Sequence, residues 1–314
     1  MIFKIDKSLF AHYNPSDVSE LFGMMIRHNH YIDCADASVY NKICHCINTH
    51  GSTRDKELLL QYRRFSVDTF RRLHLTTIDV NEFRLEQLII LSDTPARLVP
   101  ENSREWDVYV HMIKTYKRNV KVREIASVLD EAVEHKNLRV AQIGGVGEFV
   151  SQINSLARQD YDGETIPYKC CVIIDRDVNS DISSHGTWNL PDSREALFMF
   201  LSGKDTDHLT PSDVYSVDQP IFHWHMWYKR TIENYFPDRA FINMGCDLTI
   251  FNAQPEVRDF RHSKHISGYK KDNIANLVRT MGLADYNSNL KQFPHNGIMY
   301  TELELLLFKL CKII

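Results

Sequence analysis

The chain has 314 residues, 43% of them hydrophobic and 25% charged, with a formal net charge of −4. This is the composition of an ordinary globular protein with chain enough to bury a core. It excludes a global basic field for nucleic acid, though local basic patches stay compatible with it. No run approaches the roughly 18 apolar residues of a membrane span. The opening Met1 to Lys7 carries charges inside its apolar stretch, unlike a signal peptide. Seven cysteines without framework spacing fit reduced thiols, and the expected compartment is the cytoplasm.

Residues 1–92 read as a helical region. Val18, Leu21, Phe22, Met25 and Ile26 recur at helical spacing after the start signal Asn14-Pro15-Ser16. His28, His30, Cys34, Cys44, His45, Cys46 and His50 form a Cys/His-rich patch. Cys44-His45-Cys46 lacks the two-residue gap that folds paired ligands around one zinc ion, so thiols and imidazoles without metal are expected. Arg54, Lys56, Arg63, Arg64, Arg71 and Arg72, interleaved with aromatics, read as a solvated helix face before a phosphate-tracking one.

Residues 93–240 alternate strands and helices. Ala96 to Pro100 is a short strand ending at Glu101, and a helix runs from about Arg104 to Lys117. By itself, Glu101 is also an ordinary carboxylate near a helix start. Lys114, Lys117, Arg118, Lys121 and Arg123 follow with no acid among them; they suit a phosphate backbone or a solvated helix end equally. A helix from Val122 to His135 and a strand from Leu138 to Ile143 lead into Gly144-Gly145-Val146-Gly147. The third glycine of a dinucleotide fingerprint is absent, as is any P-loop.

The most informative stretch is Lys169 to Asn179. Cys170 to Ile174 is a continuous apolar run, expected as a strand buried on both faces, and it ends in Asp175-Arg176-Asp177. Ligands of open α/β sheets bind beyond the carboxyl ends of the strands. Two carboxylates there are costly unless a cation pairs with them, and oxygen ligands suit Mg²⁺ or Mn²⁺. A plain strand-end turn is the alternative.

Ile221 to Trp227 reads as a further strand, followed by Arg230-Thr231-Ile232-Glu233-Asn234-Tyr235. Residues 241–314 read as helical, with apolar faces at Ile274 to Met281 and Thr301 to Ile313.

The order strand-Glu101-helix, strand-glycine turn-helix, strand-Asp175-x-Asp177 resembles the TOPRIM domain, the Mg²⁺-binding module of topoisomerases, primases and OLD-family nucleases. Arg230 through Tyr235 resembles the Arg-x-Ile-Glu-Asn-Tyr signature that follows the TOPRIM core in OLD-like nucleases. The likeness covers roughly residues 95–240. Asn102 stands where the family usually has glycine, Glu105 is the acid expected four residues on, and Asn179 stands where a third acid often follows.

The resemblance implies an α/β fold with a central, Rossmann-like TOPRIM unit, a mostly parallel sheet with flanking helices, between helical N- and C-terminal regions. It implies a metal-dependent nuclease acting on DNA or RNA, transfer RNA included. Glu101, Asp175 and Asp177 would be catalytic and metal-binding, Glu233 would complete a second metal position, and Lys270 (or Lys271) would assist at the phosphate. Lys114, Lys117, Arg118, Lys121 and Arg230 would bind nucleic acid. Relatives of the PARIS type are effectors of phage-defence systems, which implies a separate ATPase subunit as partner; a homodimer is also compatible. A catalytically weak TOPRIM-like module that binds a partner ATPase or nucleic acid is the competing expectation, favoured by Asn102 and Asn179.

Overall fold

The structure is a computed structural model. It describes residues 1–65, 74–141, 146–177, 194–251, 255, 258–260, 269, 274–287 and 290–314. Gly144, Gly145, Asn179, Lys270 and Lys271 lie outside the described residues.

Two parallel sheets carry the fold. The first has order β2-β1-β3, with β1 at Ile2–Ile5, β2 at Tyr31–Cys34 and β3 at Thr77–Asp79. Helices Pro15–Arg27, Ala37–His50, Thr53–Gln61 and Leu85–Asp93 accompany it. The expectation of an all-helical N-terminal region is therefore corrected. These strands have three or four residues, too short for alternation to stand out against the helical spacing beside them. The Asn14 side chain does cap the first long helix, accepting from the Asp17 backbone N–H at 3.0 Å.

The second sheet has order β5-β4-β6-β7: β4 is Ala96–Pro100, β5 Leu138–Val140, β6 Cys170–Ile174 and β7 His223–Met226. All three pairings are parallel. Every residue of β6 is buried, as its unbroken apolar run requires. The chain enters at β4, passes outward to β5, then crosses back to pair β6 on the other side of β4. The direction of winding thus reverses between β4 and β6. That crevice is where doubly wound sheets take their ligands.

The C-terminal region is not a separate helical layer. Gln292–His295 (β8) and Ile298–Thr301 (β9) form an antiparallel hairpin, turned by Asn296 and Gly297 at positive φ. The terminal helix Glu302–Ile313 then packs across β4, β6, β7 and helix Arg123–Glu134. It is buried almost all round, so it belongs to the core of the second sheet and offers no face to a partner. Full burial of each of its leucines is worth about 1.5–3 kcal/mol. Residues 1–91 supply a smaller core of their own around the first sheet.

Candidate active site at the carboxyl edge of the second sheet

Because β4 and β6 run in register from Arg97 beside Cys170 to Pro100 beside Ile173, Glu101 and Asp175 leave the sheet side by side. Glu101 Oε1 accepts the Asp175 backbone N–H at 2.8 Å. The Asp175–Asp177 loop is held from the segment that follows β7. The Arg230 carbonyl accepts from the N–H of Arg176 at 2.9 Å and of Asp177 at 3.1 Å. Asp177 takes φ +57°, a left-handed conformation that aspartate tolerates better than most residues.

A residue with no role in the sequence reading joins these acids. Arg194 precedes helix Glu195–Ser202, and its side chain is only 4% exposed. Its guanidinium pairs with Glu101 at 2.9 Å and Asp177 at 2.8 Å, and donates to the Asp175 carbonyl. A planar fork suits two carboxylates at once. The only signal in the sequence would have been the electrostatic one: three acids ending two adjacent strands need a cation. Nothing in the spacing says which of the chain's arginines supplies it.

Glu233 is 1% exposed and accepts from the Tyr269 hydroxyl at 3.2 Å. Glu105, 2% exposed, accepts from the Tyr109 hydroxyl at 2.9 Å. Burial pushes the Tyr109 phenol up, and the charges of Glu105 and Asp175 push it further. Burial does the same to Tyr269, reinforced by Glu233 and Glu105. Both phenols therefore stay protonated donors. The charge of Glu105 thus acts on both phenols, with Asp175 acting on Tyr109 and Glu233 on Tyr269.

The fit to a divalent cation is partial. Carboxylates are the right donors for Mg²⁺ or Mn²⁺, and Glu101 and Asp177 converge on one cationic centre. That centre is filled by Arg194. Among the described residues, no group of three or more His, Cys, Asp or Glu side chains is placed to hold a metal ion.

The basic residues fall elsewhere. Lys114, Lys117, Arg118 and Lys121 are exposed at the far end of helix Trp106–Tyr116, about 16 Å from its acidic start. Lys117 pairs with Asp130 at 2.5 Å, and Lys121 donates to the Met299 carbonyl at 3.2 Å. Arg230 has a side chain only 1% exposed and pairs with Asp259 at 2.8 Å, so the expected nucleic-acid contact is instead an internal brace. Its carbonyl, which orders the Asp175–Asp177 loop, is the functional group the motif reading missed.

What the fold and site define is a mixed α/β protein with parallel sheets flanked by helices and acids gathered at a carboxyl edge. Comparison with protein-family models, with curated proteins and with solved structures finds no match for this chain. No helix among the described residues is long and apolar enough to cross a membrane.

Proposed function

We propose that the chain is a metal-dependent nuclease of the OLD-like TOPRIM type, hydrolysing phosphodiester bonds in DNA or RNA. The observation that carries this reading is the convergence of Glu101 and Asp177, from adjacent strand ends at the switch point, on a single buried cation. Glu101 and Asp177 would hold Mg²⁺ or Mn²⁺, which when bound supplies charge stabilisation at the phosphoryl oxygens. Asp175 ties the two strand ends together through its main chain and adds negative charge behind them. Arg194 offsets that charge in the arrangement described, and a divalent cation entering between Glu101 and Asp177 competes with it.

Purified protein incubated with labelled DNA and with total RNA, in Mg²⁺ and in Mn²⁺, beside Asp177→Ala, tests the reading. Cutting that requires metal and disappears in the variant supports it and identifies the substrate. Cutting that survives in Asp177→Ala refutes the site.

The second reading is a TOPRIM-like module that binds a partner without cutting. It is favoured by Arg194 filling the position of the ion. The effector role in phage defence, the separate ATPase partner and the cytoplasmic setting rest on the resemblance alone. Adding an ATPase of the kind the resemblance implies separates an inactive scaffold from an effector awaiting its partner.

A further inference from the structure

Between the two sheet units, away from the acids, lies a small cavity with about 40 Å³ of room for the centres of water-sized molecules. Among neutral polar and apolar side chains its wall carries Lys169, Arg64, His28, His30 and His135, and Glu131 is its one acidic side chain. Arg64 already neutralises Glu131, with both carboxylate oxygens at 2.9 Å. His30 is buried and spends its Nε2 on the Ser92 carbonyl at 3.0 Å. His28 pairs with Asp93 at 3.0 Å, and that carboxylate is turned to solvent with 56% of its side chain exposed.

Lys169 is left over. It immediately precedes β6, at the strand end opposite Asp175. It is 2% exposed and lines the cavity, and among the described residues its ammonium has neither a hydrogen-bond acceptor nor an ion-pair partner. Burying a cation without a counter-ion is costly, and proteins avoid it by neutralising the group or by binding an anion. The one acidic side chain on the wall, Glu131, is already paired with Arg64, so an anion from solution is the counter-ion left to Lys169.

We propose that this cavity is a binding site for a small oxyanion of the phosphate class, with Lys169 as its principal donor. An ammonium offers three N–H groups, and a phosphate offers enough acceptor oxygens to meet it and the His135 ring together. Burial lowers Lys169 to about 7, and an anion beside it would restore its charge. The site stands apart from the proposed nuclease chemistry and does not depend on it.

The test is calorimetric titration of the full chain with inorganic phosphate at pH 7, in chelator and at constant ionic strength set with chloride. One saturable site per chain is expected, retained in Asp175→Asn and weakened tenfold or more in Lys169→Met. No saturable binding by the wild type, or unchanged affinity in Lys169→Met, overturns the proposal. If Lys169→Met does not fold, His135→Glu decides, since His135 is exposed. A carboxylate there is expected to weaken phosphate several-fold, and an unchanged affinity again overturns the site. A parallel titration with adenosine 5′-monophosphate separates the two sources of the group. Tighter binding than phosphate supports a phosphomonoester ligand, and weaker binding supports the free anion.

Discussion

Glu101 accepts the backbone N–H of Asp175 at 2.8 Å, so the ends of β4 and β6 are tied by a carboxylate that also faces Arg194. One side chain thereby sets both the geometry and the electrostatics of the edge. A charge-assisted bond to a backbone donor is among the stronger kinds in proteins. Glu101→Gln keeps an acceptor for that N–H but leaves the Arg194 ion pair without one carboxylate. We expect a stability loss of about 1–3 kcal/mol by urea denaturation, together with loss of any metal-dependent cleavage.

Arg194 and a divalent cation compete for the same carboxylates. Arg194→Met should therefore raise Mn²⁺ affinity about tenfold or more, because the occupant no longer has to leave. Electron paramagnetic resonance of free Mn²⁺ measures this without reference to catalysis. Weaker binding in the variant would show that Arg194 organises the acids for the ion.

Asp177→Asn separates charge from conformation. Asparagine tolerates the left-handed φ of +57°, so the loop should persist while one ion pair to Arg194 disappears. The expected result is near-native circular dichroism with Mn²⁺ affinity and cleavage both reduced. Intact metal binding would remove Asp177 from the ligand set.

Tyr109→Phe deletes the hydroxyl that donates to the buried Glu105 carboxylate. Leaving that acceptor with one donor fewer should cost about 1–3 kcal/mol in chemical denaturation. A neutral result would mean that water reaches Glu105.

The terminal helix provides a pH test. Glu302 at its start is fully buried, accepts from the Tyr235 hydroxyl, and is pushed up to about 8 by burial. Its folded value lies above its unfolded one of 4.5, so its contribution is whole below about 4.5 and is lost as pH rises through about 8. Glu302→Gln should gain stability relative to wild type over that interval, by up to a few kcal/mol on the order expected from such linkage. Urea unfolding at pH 5 and pH 8 gives the difference directly; an equal difference at both pH values would contradict the assignment. Lys309, lowered to about 7 by burial, acts in the opposite sense between about 7 and 10.5. The comparison is therefore between variant and wild type at each pH.

Sequence pattern alone determined the elements around the acids. An unbroken apolar run such as Cys170 to Ile174 has no polar face to give water, so it must be a doubly covered strand, and whatever ends it must lie at the sheet edge. The same logic placed Glu101 after β4, and the apolar face from Thr301 to Ile313 marked the terminal helix, whose cap, the Thr301 hydroxyl accepting from the Glu304 backbone N–H at 3.3 Å, the structure added. Strands β1 to β3 escaped because four residues carry too little periodicity to compete with flanking helices. Only the tertiary structure decided that Arg194 meets Glu101 and Asp177, that Arg230 serves through its carbonyl, and that Glu233 turns to Tyr269. Side-chain pairings between distant segments depend on which strand ends lie adjacent and which way each chain leaves them. That information belongs to topology and register, and local patterning does not contain it.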